Sequence, residues 1–253
     1  MLARLMRGLR AGSAGAPARA PAGSRIYAIG DVHGRADLLR ELHGRIVEDA
    51  ANAPSRRVVI HLGDYVDRGL DSRAVLDLLL DEPLPGFERV ALLGNHEAML
   101  LRFLQDAEEG SNWLWNGGAA TLLSYGVAAP ADPQSPQALE ACRAALAAAV
   151  PERHLAFLHG LPLSHVEGGY AFVHAGLRPG LPLELQVAAD LLWIREEFLR
   201  SRLDHGHVVV HGHSIKREVE VRPNRIGVDT GAYASGRLSA VALEDERRWL
   251  LST

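Results

Sequence analysis

Cysteine and long apolar runs are both scarce in this sequence: Cys142 is its only cysteine. A single cysteine cannot form an internal disulfide, so the cysteine content gives no sign of an oxidising compartment. A membrane-spanning helix needs ~18 consecutive apolar residues, and no segment approaches that length. We therefore expect a cytoplasmic protein without a transmembrane segment.

A strong charge of one sign is also missing. The formal net charge is −4 over 253 residues, which gives no overall attraction to nucleic acid or to an anionic membrane. We therefore expect no nucleic-acid partner. The composition, 47% hydrophobic and 23% charged, is typical of a globular protein and excludes intrinsic disorder, collagen and disulfide-rich miniproteins. A chain of this length suits one large catalytic domain.

The first 25 residues differ from the rest of the chain. They carry five arginines and no acidic residue and become rich in Ala, Gly, Pro and Ser. They lack the long apolar segment of a secretory signal. We expect residues 1–25 to form a flexible basic tail. The alternative is a short amphipathic helix, because Leu2, Leu5, Met6 and Leu9 recur at helical spacing.

The segment after this tail alternates between strand and helix patterns. Residues 26–29, 57–62 and 89–93 are short β-rich runs, each followed by a glycine. Residues 36–50 and 72–80 lie between them and carry apolar residues three and four apart, as in helices packed on a sheet. This β-α-β-α-β order predicts a parallel sheet, with ligand-binding loops beyond the carboxyl ends of its strands.

The remainder of the chain predicts a helical insertion followed by a second sheet. A helix at 97–109 leads into a cap-like insertion at 110–165, which contains an alanine-rich helix at 138–149. A further helix is expected near residues 185–199. Strands are expected at 170–173, 208–210, 225–228 and 237–243. Residues 26–253 therefore read as one catalytic domain.

Each strand of the first half is followed by a loop with metal-ligand chemistry. Asp31, Asp64 and Asn95 stand 33 and 31 residues apart, about one β-α repeat each, so they should converge at one sheet edge. A single Asp or His at a strand end is often a helix cap or turn former, but three successive loops favour a site. Carboxylate, amide and imidazole ligands without thiolate suit Mn, Fe, Co or Zn rather than Ca.

The second half adds His174 and the element Val209-Val-His-Gly-His213 after apolar runs. Together these motifs resemble the metal-dependent phosphoprotein phosphatases of the PPP type, within the calcineurin-like phosphoesterase superfamily, and especially their small bacterial and phage members. The resemblance covers about residues 26–243. It implies an α/β fold, classed as α+β by some schemes, in which two mixed sheets form a β-sandwich flanked by helices. It also implies a dinuclear metal centre at one edge.

The resemblance also implies which residues bind the two divalent metals, with manganese expected first and iron, zinc or cobalt possible. Asp31 and His33 would bind the first metal, and Asp64 would bridge both. The second metal would be completed by Asn95, His174 and His213. Two such metals lower the pKa of a shared water and so generate the attacking hydroxide. His211 lies where many eukaryotic relatives carry an arginine; its role stays open, and a structural position is favoured.

In this family the histidine after Asn95 is the general acid, which makes His96 the candidate, oriented by Asp67. The alternative is that Asp67 pairs with Arg68 in a turn. The resemblance also implies that Arg68, Arg195 and Asn95 bind the substrate phosphate, because a guanidinium matches phosphate well. Arg195 could instead lie on an exposed helix face.

The expected reaction is hydrolysis of phosphomonoesters, foremost phosphoserine and phosphothreonine on proteins. A symmetrical dinucleoside tetraphosphate hydrolase is the alternative on the same scaffold. Those hydrolases tend to carry Asn at the position of Asp67 and Asp at that of Glu97. A dinucleotide would need further cations to bind its internal phosphates. The only cationic residues of the insertion that could do so are Arg143 and Arg153. A non-catalytic phosphate-binding module is a remote third possibility, because every expected ligand is present.

Three further features have structural alternatives. Trp113, Trp115 and the pair Gly117-Gly118 resemble a pattern of small bacterial members and suggest either a substrate-facing cap or a local hydrophobic cluster. The segment Asp229-Thr-Gly231 is expected to be a structural turn. Cys142 is expected to be a packing residue on the alanine-rich helix.

Overall fold

Two mixed sheets form the centre of the protein in the computed structural model, which describes residues 18–253. The positions of the predicted amphipathic segment, Leu2 to Leu9, lie outside the described residues. The strands are β1 (Ser24–Ile29), β2 (Arg56–His61), β3 (Glu88–Ala91), β4 (Ser164–Glu167), β5 (Tyr170–Val173), β6 (Val208–His211), β7 (Glu220–Val221), β8 (Arg225–Gly227), β9 (Ser239–Glu244) and β10 (Arg247–Ser252).

The helices follow the predicted alternation in the first half and cluster after β3. They are α1 (Ala36–Asp49), α2 (Ser72–Asp81), α3 (Asn95–Gln105), α4 (Gly110–Trp113), α5 (Ala119–Ser124), α6 (Pro136–Ala149), α7 (Glu152–His159), α8 (Ala188–Trp193), α9 (Glu196–Leu199) and α10 (Ala232–Ser235). A π-helical turn, Leu114–Gly118, joins α4 to α5. None of the helices within residues 18–253 is long and apolar enough to cross a membrane.

The two sheets have the mixed pairing that the resemblance implies. The first has the order β10-β9-β1-β2-β3, with β1, β2 and β3 parallel. The second has the order β4-β5-β6-β8-β7, with β5, β6 and β8 parallel. The predicted architecture of two mixed sheets flanked by helices is thus confirmed. Both sets of parallel strands end at the edge where the predicted site residues lie.

The central strands are buried on both faces. Ile26 and Ala28 of β1 pack toward the second sheet with Val58 and Ile60 of β2. Tyr27 and Ile29 of β1 point the other way and pack with the helices. This alternation follows from the two-residue period of a strand, and it buries all six residues of β1. The sheet edge at which the parallel strands end is therefore supported by a well-packed core.

Several boundaries differ from the sequence prediction. β1 begins at Ser24, so the last two residues of the predicted tail belong to the sheet. The strands β4, β7 and β10 were not predicted. Each pairs with one neighbour at a sheet edge, so exposed positions interrupt the apolar pattern on which the prediction depends.

Two predicted helices are shorter than expected. The helix expected at 97–109 is α3, and it stops before Asp106, whose carboxylate accepts a hydrogen bond from the N–H of Glu108 at 2.9 Å. The helix expected at 185–199 is divided into α8 and α9. Arg195 interrupts it with a non-helical backbone, φ −130° and ψ −101°. Local capping by Asp106 competes with the continuing helix.

Candidate metal centre

The three loops that follow β1, β2 and β3 meet around Asp64. The backbone N–H groups of Val32 and His33 donate to the carbonyl of Asp64 at 3.0 and 2.8 Å. The third loop is joined through the N–H of His96, which donates to Asp64 Oδ1 at 3.1 Å. Convergence of these loops is what the parallel order of the strands predicts.

The second sheet adds two histidines to the same edge. The backbone N–H of His213 donates to both carboxylate oxygens of Asp31, at 3.1 and 3.0 Å. Nε2 of His174 lies 3.4 Å from Asp64 Oδ1 and 2.8 Å from Asn95 Oδ1. The structure therefore brings together all six predicted ligands, which are Asp31, His33, Asp64, Asn95, His174 and His213.

Two buried groups at this edge have the geometry to hold a metal ion. In each group the potential ligand atoms lie within 4.8 Å of one another. The first contains His33, Asp64 and His96, and the second contains Asp64, His174 and His213. Asp64 belongs to both, which is the arrangement expected of a residue that bridges two ions.

Hydrogen bonds leave a ligand atom of each histidine directed into the site. The Nδ1–H of His33 donates to the carbonyl of Val66 at 2.8 Å, and that of His174 donates to Leu62 at 2.9 Å. Their Nε2 atoms therefore carry the ring lone pair, the usual arrangement for metal-binding imidazoles. Nε2 of His33 accepts from Arg68, and Nε2 of His174 lies beside Asn95 Oδ1. Nε2 of His213 is buried without a hydrogen-bond partner among the described residues. These donors fit a divalent cation.

The electrostatics of the site also fit cations. Burial lowers the pKa of His33 to about 3 and also lowers that of His174 and His213, so the three imidazoles are neutral near pH 7. Burial, followed by repulsion from Asp229 and Asp64, raises the pKa of Asp31 well above its ordinary value. Positive charge among these carboxylates would relieve that repulsion.

The predicted acid pair is formed. The Nδ1–H of His96 donates to Asp67 Oδ2 at 2.7 Å, and both side chains are buried. Burial alone would lower the pKa of His96, but the nearby carboxylates of Asp64 and Asp67 outweigh it and hold that pKa above its ordinary value. The raised pKa favours a protonated imidazole near neutral pH.

Asp67 does not pair with Arg68, so the alternative of a local ion pair is wrong. Nη1 of Arg68 instead donates to Nε2 of His33 at 3.0 Å. Its guanidinium lies over the ring of Tyr233, 4.9 Å from the ring centre. Arg68 therefore projects over the predicted metal edge, where it could contact an anion.

Arg195 also reaches the metal edge. It lies at the break between α8 and α9 rather than on a helix face, and Nη1 donates to the carbonyl of His213 at 3.1 Å. His211 belongs to neither metal group; it is buried and packs against Phe198, with ring centres 5.1 Å apart. Burial lowers the pKa of His211 to about 4. Its imidazole is therefore neutral near pH 7, and His211 is a packing residue.

The two tryptophans after α3 have different environments. Trp113 is fully buried and stacks on Phe103 with ring centres 4.9 Å apart, so it belongs to a hydrophobic cluster and does not face substrate. Trp115 is 90% exposed. A Cβ at Gly118 would lie 2.4 Å from the Trp113 ring, and a Cβ at Gly117 would lie 3.0 Å from the backbone nitrogen of Arg68.

Sequence reasoning did not anticipate some contacts at the site. Trp113 and Thr121 both donate hydrogen bonds to Asp67. Asp229 stands beside Asp31, and burial raises the pKa of Asp229 to about 6. No regular spacing in the sequence indicates these contacts.

The segment after β8 is the turn that the sequence predicts, because the carboxylate of Asp229 accepts from the N–H of Gly231 at 2.8 Å. Cys142 is buried on α6, and burial raises the pKa of its thiol.

Residues 24–233 match the family of calcineurin-like phosphoesterases. The chain belongs to this family. The predicted resemblance is therefore confirmed, and the calcineurin-like phosphoesterases are metal-dependent hydrolases with a dinuclear centre. A solved structure described as a putative diadenosine tetraphosphatase is 22% identical and has a TM-score of 0.61; the match covers 93% of this chain and 98% of that one. This likeness supports the fold.

Two curated calcineurin-like relatives carry different names. "Serine/threonine-protein phosphatase 2" of Escherichia coli K12 is 30% identical, with coverage of 85% of this chain and 90% of the relative. "Bis(5'-nucleosyl)-tetraphosphatase, symmetrical" of Aromatoleum aromaticum is 35% identical over 63% of this chain, but the match spans only 46% of that relative. The two named activities have hydrolysis of a phosphoester in common, which agrees with the family.

Proposed function

We propose that this protein is a phosphomonoesterase that acts on phosphoserine and phosphothreonine in proteins. The observation that carries the proposal is the buried Asp67–His96 pair at an edge where two potential metal groups share Asp64, His96 itself being a member of the first group. The near full-length similarity to a relative named as a serine/threonine phosphatase supports it. We further propose that residues 26–253 form the catalytic unit and that it acts in the cytoplasm.

The residues proposed to hold two divalent ions, manganese first, are Asp31, His33, Asp64, Asn95, His174 and His213. When bound, such ions polarise phosphoryl oxygens and lower the pKa of a shared water. Asp64 contributes negative charge to both groups. Val66 and Leu62 accept from the Nδ1–H of His33 and His174 and so fix the imidazole tautomers that present Nε2.

His96 is proposed to protonate the leaving alkoxide. Because Nδ1–H is held by Asp67 at 2.7 Å, the second proton of the imidazolium is at Nε2, which lies 3.9 Å from Asp64 Oδ2 at the predicted metal edge. After proton transfer, Asp67 keeps the neutral imidazole in the same orientation. A positioned acid of this kind contributes typically ~10² to 10⁴ in rate.

Arg68, Arg195 and Asn95 are proposed to bind the substrate phosphate. The two guanidiniums approach the edge from different sides, since Arg68 contacts His33 and Arg195 contacts the carbonyl of His213. Guanidinium groups bind phosphate oxygens with charge-assisted hydrogen bonds. A dianionic terminal phosphate can use both.

Symmetrical dinucleoside tetraphosphate hydrolysis is the second candidate, favoured by the name of the relative from Aromatoleum aromaticum. In the insertion, such an activity would require free cations for the internal phosphates. The two arginines of the insertion do not supply them. Arg143 is bound to Glu140, and Arg153 is bound to Asp81, with Nη1 to Oδ1 at 2.6 Å.

The experiment that tests the proposal compares substrates on one preparation. The purified chain is stripped with a chelator, reconstituted separately with Mn²⁺, Fe²⁺, Zn²⁺ and Co²⁺, and assayed on phosphoserine, phosphothreonine and phosphotyrosine peptides and on diadenosine tetraphosphate. We expect phosphate release from the serine and threonine peptides, with two metals per chain. Metal uptake without hydrolysis of any substrate would favour the non-catalytic alternative and refute the proposal.

A further inference from the structure

We propose that Trp113 and Thr121 are positioning residues for the general acid, an inference that rests on the proposed function of His96. Both donate to the carboxylate of Asp67. Thr121 Oγ1 donates to Oδ1 at 2.6 Å, and Trp113 Nε1 donates to Oδ1 at 3.1 Å and Oδ2 at 2.9 Å. Oδ2 also accepts from His96. The insertion therefore fixes the carboxylate that orients the imidazole.

The turn that carries Asp67 does not fix the side chain unaided. Asp67 has a left-handed backbone, with φ +71°, a conformation that costs free energy in a non-glycine residue. Its N–H donates to Ser72 Oγ at 3.0 Å and Thr121 Oγ1 at 2.9 Å. Thr121 therefore contacts both the backbone and the carboxylate of Asp67, which holds the residue in this conformation.

The direction of the Trp113 N–H is set by packing. The indole is fully buried and stacks on Phe103 with an interplanar angle of 27°. The ring also lies against Gly118, where even a Cβ would approach within 2.4 Å of it. An indole confined in this way can present Nε1–H to Asp67 without reorganisation during the reaction.

The test uses variants that remove one hydrogen bond and keep the packing. Trp113→Phe retains an aromatic ring against Phe103, and Thr121→Val retains the side-chain shape. The readout is the ratio of kcat on a phosphoserine peptide to kcat on an activated aryl phosphate, which does not need a proton donor. Each variant should lower this ratio about tenfold, with metal content unchanged. Thr121→Ser, which restores the hydroxyl, should recover it, and the exposed control Trp115→Phe should leave it unchanged.

A ratio that stays at the wild-type value in both variants, or an equal loss on both substrates, would overturn the positioning role. A different result would show that the proposed function itself is wrong. In that case the wild-type protein itself would not hydrolyse the phosphoserine peptide, whatever the variants do.

A basic cleft formed by the segment after His213 and by α10 carries a second, independent inference. The cleft has a volume of about 440 Å³ and is lined by three cations, Lys216, Arg217 and Arg237, and one acid, Glu218. Glu218 is paired with Arg237 at 3.2 Å. Among residues 18–253, Lys216 and Arg217 have no carboxylate within ion-pair distance, and Lys216 is the only lysine of the chain.

The cleft is lined by segments of the chain that also contact the predicted metal edge. Lys216 follows His213 by three positions in the sequence, and its N–H donates to the carbonyl of Asp229 at 3.0 Å. The cleft is also lined by Ala234 and Ser235 of α10. Tyr233 of the same helix lies outside the lining and contacts His33, with ring centres 5.5 Å apart. A polypeptide with its phosphate at the metal edge would therefore extend its flanking residues along these cations.

We infer that this cleft binds acidic side chains next to the phosphorylated residue, which names a substrate class for the proposed function. The test compares phosphoserine peptides flanked by Glu with the same peptides flanked by Gln. Lys216→Glu combined with Arg217→Glu should raise KM for the acidic peptide about tenfold and leave kcat on an aryl phosphate unchanged. Charge reversal at Arg202, an exposed arginine of the α9–β6 segment, is the matched control.

A KM for the acidic peptide that the double variant leaves unchanged would overturn this inference, and so would a wild-type protein that does not distinguish the two peptides. A wild-type protein that hydrolyses none of these substrates would instead refute the proposed function.

Discussion

The carboxylate of Glu97 accepts a hydrogen bond from the backbone N–H of Asp64 at 2.8 Å. It also accepts from the N–H groups of Tyr65, Val66 and Gly94, at 2.7, 3.1 and 3.0 Å. Glu97 is fully buried. Glu97, one of the two residues that separate the phosphatase pattern from the dinucleotide-hydrolase pattern, therefore shapes the loop of Asp64 from a buried position.

Glu97→Gln should destabilise this loop. The amide group places its own N–H donors where one of the carboxylate oxygens accepts, and it leaves backbone donors unsatisfied. We expect the free energy of unfolding to fall by ~1 to 3 kcal/mol, measured by urea denaturation of the metal-free protein. Glu82→Gln, at an exposed position, is the control and should change little. A Glu97 variant as stable as the wild type would contradict this account of the loop.

Asp64→Asn should remove metal and activity together, because Asp64 is the only residue that belongs to both potential metal groups found among residues 18–253. The measurement is elemental analysis of metal per chain after dialysis, together with turnover of a phosphoserine peptide. Two retained metals with near-normal turnover would show that Asp64 does not bridge.

His96→Asn should retain metal and lose activity according to the leaving group. Removing the acid costs typically ~10² to 10⁴ in rate, mainly for poor leaving groups. The loss of kcat should therefore be far larger on a phosphoserine peptide than on an activated aryl phosphate. Equal losses on the two substrates would argue against proton donation by His96.

A buried histidine pair should make stability fall in mild acid. Nε2 of His43 lies 3.0 Å from Nε2 of His61. Burial lowers the pKa of His43 to about 4 and lowers that of His61 well below its ordinary value. Below about pH 6.5 the unfolded chain binds protons at these positions and the folded chain does not, so unfolding becomes easier as pH falls.

The measurement is urea denaturation between pH 7.5 and 5 with the double variant His43→Leu and His61→Leu as reference. Each depressed histidine should cost about 2 kcal/mol between pH 6.5 and 5, because one pKa unit corresponds to ~1.4 kcal/mol. The wild type should therefore lose more stability than the variant over this range. Parallel pH dependences of the two proteins would rule out the pair as the cause.

The sequence allows the core of the site to be predicted because its ligands follow regular structure. The β-α repeat fixes where each strand ends, so the 33- and 31-residue spacings of Asp31, Asp64 and Asn95 lead directly to one sheet edge. Glycines beside these residues also mark the turns. The fold class follows from the same alternation together with the family resemblance.

Contacts that depend on tertiary packing could not be predicted in this way. The hydrogen bond from Trp113 to Asp67 joins positions 46 residues apart, and it exists because the indole is confined between Phe103 and Gly118. The break at Arg195 is likewise accompanied by a contact distant in sequence, from its side chain to the carbonyl of His213. Neither feature has a local period or spacing in the sequence.

We propose that this centre hydrolyses phosphomonoesters in preference to dinucleotides. A terminal phosphate dianion can meet Arg68 and receive a proton for its leaving alkoxide from His96, whereas the arginines of the insertion are held in ion pairs. The most direct measurement is side-by-side steady-state kinetics with Mn²⁺ on phosphoserine peptide and diadenosine tetraphosphate. We predict that kcat/KM for the peptide is higher by at least about tenfold, ~1.4 kcal/mol in transition-state stabilisation. A clear preference for diadenosine tetraphosphate would contradict the account.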